Sequence, residues 1–134
     1  MTVDQNTYVE SMTTRWASFG NTPSPALQDV WSQMCTTFNQ QIDNHGTPEG
    51  KRWKALQPAT GTGKTQGLIT YCSMLPQDDD PVGVLIVVRL IEQANDIANS
   101  INSLTGRTTA LARHSGLKVT TEELNQAQML VVTH

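Results

Sequence analysis

Apolar side chains fall at Val9, Met12, Trp16 and Phe19, three or four residues apart, with polar residues between them. That spacing places them on one face of a helix over about Thr7 to Phe19, and Gly20 is a natural stop. A second stripe follows at Leu27, Val30, Trp31, Met34, Phe38 and Ile42. Ser24 can cap this helix, with Pro25 at its first position, where the missing N–H costs nothing. Residues 43–50 are turn formers and predict an exposed loop.

After that loop the period changes. Arg52 to Gln57 reads as a short strand, and Thr65 to Leu75 as a helix with Leu68, Ile69 and Cys72 inward. Val82 to Val88 is a continuous, β-branched apolar run, which predicts a strand buried on both faces. Ile91, Ala94, Ile97, Ala98 and Ile101 have helical spacing. Arg107 to Arg113 alternates as a further strand. Thr120 and Glu123 form a capping box for another helix, and Met129 to Thr133 is the last strand. Two helices and then alternating strands and helices predict an α/β fold with a parallel sheet and flanking helices. The division expected is a helical segment and loop over 1–50, then a sheet-containing domain over 51–134.

Composition narrows the picture. The chain has 134 residues, 37% of them hydrophobic, with a net charge of −3. This suits one domain with a modest core and argues against a strongly basic nucleic-acid module. A local basic groove stays compatible with an acidic chain. Cys35 and Cys72 lie in predicted helices without a CxxC pair, so neither a disulfide framework nor a zinc site is expected. The N-terminus is polar and no apolar run is long enough to span a bilayer, so a cytoplasmic protein without a membrane partner is expected.

The chemistry concentrates in Ala59-Thr60-Gly61-Thr62-Gly63-Lys64-Thr65, followed by Gln66. A phosphate chain needs many donors at close range, and backbone N–H groups at a helix N-terminus supply them. Gly61 and Gly63 would let the backbone turn and approach. Lys64 would place its ammonium on the outer phosphates, and Thr65 would give its hydroxyl to a bridging magnesium ion. The motif demands strand, loop and helix in that order, which the predicted elements supply. Its first position, normally Gly or Ala, holds Pro58.

The string Pro58 to Thr65 resembles motif I of superfamily-two helicases and translocases, especially the DEAD/DEAH-box-related group that includes restriction-enzyme motors. The segment Val84 to Asn95 sits where that group has motif Ia, with Val88-Arg89 in place of its Pro-Thr pair. Met129 to His134 resembles its strand ending in a nucleic-acid-contacting Thr, here Thr133. The resemblance spans about residues 52–134. It implies the front of a RecA-like P-loop NTPase domain, preceded by the helical pair. ATP and Mg2+ would be held by Ala59 to Gln66, with Lys64 catalytic and Thr65 on the metal. Nucleic acid, DNA ahead of RNA, would meet Arg89 and Thr133. It also implies an upstream adenine-reading glutamine, for which Gln28, Gln33, Gln40 and Gln41 are all open.

No apolar strand ends in Asp or Asp-Glu, the magnesium-holding and water-orienting group that hydrolysis requires. Asp78-Asp79-Asp80 precedes a strand and reads as a solvated loop. An incomplete domain is therefore expected, with a second RecA-like domain beyond His134 and little turnover by this chain alone. The alternatives are another P-loop NTPase, such as a small-molecule kinase, or a nucleotide-binding remnant without catalysis. His45, His114 and His134 lack metal-ligand spacing. Arg113 and His114 end a predicted strand on the same edge as Arg89. Trp53 reads as core with Trp16 and Trp31, and Lys51-Arg52-Lys54 as a solvated basic patch.

Overall fold

The first helix begins where a side chain replaces a missing helical partner. Asp4 Oδ2 accepts hydrogen bonds from the Thr7 backbone N–H at 2.9 Å and from Thr7 Oγ1 at 2.8 Å. The backbone bond from Thr7, then the side-chain one, holds the Asp4 carboxyl below its usual pKa. The computed structural model describes residues 3–134. They divide into two compact units, the first ending at Tyr71 and the second covering Cys72–His134.

The first unit contains α1 (Gln5–Ser18) and α2 (Pro25–Asp43). Ser24 Oγ accepts from Leu27 N at 3.1 Å, with Pro25 on the first turn, as the sequence predicts. A 3₁₀ turn at Glu49–Lys51 follows. The two helices pack through Met12 of α1 and Trp31, Met34 and Cys35 of α2, all buried. Tyr8, which the apolar stripe omitted, is wholly buried, and its hydroxyl donates to Gly67 O at 3.0 Å. Phe19 lies beyond the helix end and is exposed, not inward.

The expected strand at Arg52 to Gln57 does not form. A strand needs a ladder to satisfy its N–H and C=O groups, and the described residues of this unit contain no other strand. The segment is irregular and exposed throughout, and Trp53 stands fully in solvent, not in a core. Helix α3 (Lys64–Met74) begins directly after the glycine loop.

The second unit holds a three-stranded parallel sheet. Its strands are β1 (Val84–Val88), β2 (Ala110–Arg113) and β3 (Met129–Thr133), in the order β1-β3-β2. Helix α4 (Ile91–Thr105) joins β1 to β2, and the short α5 (Thr121–Gln126) joins β2 to β3. The fold is thus mixed α/β, with parallel strands flanked by helices. Thr120 and Glu123 form the predicted capping box on α5.

Period-two alternation divides the sheet. Ile86, Ala110, Ala112, Met129 and Val131 are buried, and the apolar stripe Ala94, Ile97, Ala98 and Ile101 of α4 is buried with them. On the opposite face Leu85 and Val87 are 64% and 56% exposed, so β1 is covered on one face only. The expected burial on both faces fails at Leu85 and Val87, because a buried second face needs a covering layer and theirs is open to solvent.

Asn102 fastens α4 to the start of β2. Its Oδ1 accepts from Thr109 N and Ala110 N, both at 2.8 Å, and its Nδ2 donates to Ala110 O at 2.9 Å. Asn102→Ala is expected to lower the stability of the second unit by about 2 kcal/mol, since three part-buried bonds go at once. Urea unfolding checks this, and a loss under about 0.5 kcal/mol, the ordinary scale of a surface change, would contradict it.

Cys35 and Cys72 are buried free thiols. Burial pushes Cys35 upward and Cys72 up to about 12, so both stay protonated and unreactive near neutral pH. Among the described residues no helix is long and apolar enough to cross a membrane.

Candidate functional site

In the first unit, residues 59–63 form a tight turn that feeds straight into α3. Thr62 N and Thr62 Oγ1 both donate to Ala59 O, at 3.3 and 2.7 Å. Gly61 and Gly63 both have φ of +84°, in the region that disfavours any Cβ. At Gly63 there is a second constraint. A Cβ there would lie 2.5 Å from Trp16 Cη2, whereas at Gly61 it would meet open space.

The helical pair seats this loop. The indole N–H of Trp31 donates to Thr62 O at 2.9 Å. Trp16 meets Trp31 edge to face, with ring centroids 5.1 Å apart, and fills the space beside Gly63. Gln66 is tied by its Oε1 to Arg15 Nε. Of these supports, Trp16 and Trp31 were marked by the sequence only as apolar stripe, and Arg15 was not singled out at all.

Lys64 and Thr65 lie exposed on the first turn of α3, as do Ala59 and Thr60 in the turn before it. Gly67 N closes the first helical bond, to Gly63 O at 2.7 Å. Among the described residues the amides of Lys64, Thr65 and Gln66 have no backbone acceptor, as first-turn amides lack one. The turn therefore combines free donors, a helix N-terminus, an ammonium and a hydroxyl, the chemistry that an anionic oxygen cluster requires.

In the second unit, Arg89 and Thr133 come to one edge of the sheet. Val88 and Thr133 are register partners on neighbouring parallel strands, and Arg89 follows Val88. His134 N donates to Val88 O at 3.4 Å. A groove of about 900 Å³ opens beside Thr133, with Arg113, His114, Lys118 and His134 among its lining residues. Lys118 was missed in the sequence because a turn brings it there. Leu117 N donates to His114 O at 3.1 Å and Gly116 N to His114 Nδ1 at 3.1 Å. With Nδ1 accepting, Nε2 carries the proton and donates to Asn95 Oδ1 at 3.1 Å.

The glutamines have separate roles. Gln28 Nε2 reaches Thr13 Oγ1 at 3.4 Å, and Gln33 Nε2 donates to Asp29 at 2.9 Å. Gln41 Nε2 donates to Gly50 O at 3.0 Å and Arg52 O at 3.3 Å, while Gln40 is exposed. Asp78, Asp79 and Asp80 are exposed ahead of β1, and Asp80 N donates to Asp78 Oδ1 at 3.2 Å. Among the described residues no three His, Cys, Asp or Glu side chains are grouped to hold a metal ion.

No protein-family model matches the chain, and no curated protein matches it.

Proposed function

We propose that the chain is the ATP-binding part of an ATP-dependent nucleic-acid helicase or translocase, the front of a RecA-like P-loop domain. One observation carries this reading. The loop Ala59 to Thr65 turns through two positive-φ glycines into α3, and it leaves Lys64, Thr65 and the first-turn amides open to solvent. A triphosphate would take those amides and the Lys64 ammonium. Thr65 would supply one oxygen to magnesium, whose remaining positions phosphate oxygens and water can fill. In the second unit, Arg89 and Thr133 would meet the nucleic-acid backbone at the sheet edge where ligands collect in parallel α/β folds.

The test is a melting series with magnesium and ATP, ADP or AMP at equal concentration. A phosphate-gripping loop orders the shifts ATP, then ADP, then AMP, because each phosphate adds charge-assisted bonds. At 100 times Kd, ATP would add about 2.7 kcal/mol of stability. Equal shifts for all three nucleotides would overturn the reading.

A further inference from the structure

The first unit carries a second, unassigned feature. Trp53 is 100% exposed, and Lys51, Arg52 and Lys54 surround it in sequence. With Phe38 and Gln41 of α2 they line a groove of about 460 Å³. Both Nε2 bonds of Gln41 go to backbone oxygens of this segment, at Gly50 and Arg52, and so fix it against α2. Glu49 pairs with Lys54 at 3.0 Å and with Arg52 at 3.6 Å. Among the described residues Lys51 has no ion-pair partner. On a chain whose net charge is −3, this groove gathers a fully exposed indole and three cations.

We propose that this groove is a stacking site for single-stranded nucleic acid. A base would lie on the Trp53 ring, and the flanking phosphates would meet Lys51, Arg52 and Lys54. Cations interleaved with an aromatic platform are what sequence-tolerant single-strand binding requires. A mononucleotide fits less well, because small-ligand sites enclose most of their ligand and the wholly exposed Trp53 encloses none of it. An acidic peptide would use the cations but leave the indole without a role. The site shares its polymer with the function proposed above but none of that function's residues, and it stands without the phosphate loop.

The test is nucleotide-free binding of a labelled oligothymidylate, read by anisotropy and by quenching of tryptophan emission. Trp53→Ala is expected to weaken binding at least about fivefold and to abolish the quenching, as loss of one stacked base implies. Being fully exposed, this change leaves the far-ultraviolet circular dichroism unaltered. Trp53→Phe should restore most of the affinity, and Lys51→Ala should reduce the salt slope by about one. Unchanged affinity in Trp53→Ala would overturn the proposal. So would equal quenching by thymidine monophosphate, or displacement by polyglutamate with no sensitivity to Trp53. Arg89→Ala separates this site from the sheet edge. A loss confined to Arg89→Ala would fell the stacking site alone, and one confined to Trp53→Ala would fell the sheet-edge contact alone.

Discussion

Trp31→Ala is expected to destabilise the first unit by about 3–5 kcal/mol, the usual cost of emptying a large buried aromatic site. Trp31 is fully buried, stacks edge to face with Trp16, and donates its indole N–H to Thr62 O. Truncation opens a cavity and releases the loop carbonyl together. Trp31→Phe divides the two effects. It keeps most of the volume and loses the hydrogen bond, at about 1–2 kcal/mol. Chemical unfolding followed by circular dichroism measures both. If Trp31→Ala cost less than about 1 kcal/mol, the indole would not be what seats the loop.

Gly63→Ala is the second large effect, at about 2–5 kcal/mol, a backbone cost and an overpacking cost together. The backbone there has φ +84°, a conformation that costs a residue with a Cβ about 1–2 kcal/mol. The new methyl would also press into the Trp16 ring, 2.5 Å from Cη2, and overpacking of that kind costs about 1–3 kcal/mol. Gly61→Ala is the control. It has the same φ but open space, so only the backbone cost applies. Unfolding midpoints of the two variants give the difference directly. Equal losses would show that Trp16 yields and that the contact carries no constraint.

What could be read from the sequence was what residues decide locally. The Ser24-Pro25 start and the Thr120/Glu123 box need only neighbouring atoms, and both form as expected. The α4 stripe works because its period and its burial coincide. Failures came where a distant partner decides. Trp53 reads as core with Trp16 and Trp31, yet its segment has no strand to pair with and stays in solvent. Leu85 and Val87 sit in an apolar run that suggests burial on both faces, yet their face is open, because a covering layer is not encoded in the run itself. The loop itself was legible as a string, but its support was not. Tyr8, Arg15, Trp16 and Trp31 reach Gly67, Gln66, Gly63 and Thr62 across long sequence separations that no period encodes.

Whether the loop at Ala59 to Thr65 grips phosphate is decided by one titration. Magnesium and ATP are titrated calorimetrically into the chain and into its Lys64→Ala form. Lys64 is exposed on the first turn of α3, so its removal spares the packing and takes away only the charge. Saturable one-site binding by the chain, weakened at least about tenfold in Lys64→Ala, is the predicted result, since a charged hydrogen bond is worth about 1.5–3 kcal/mol. Equal affinity of the two proteins would show that the loop is not the phosphate site.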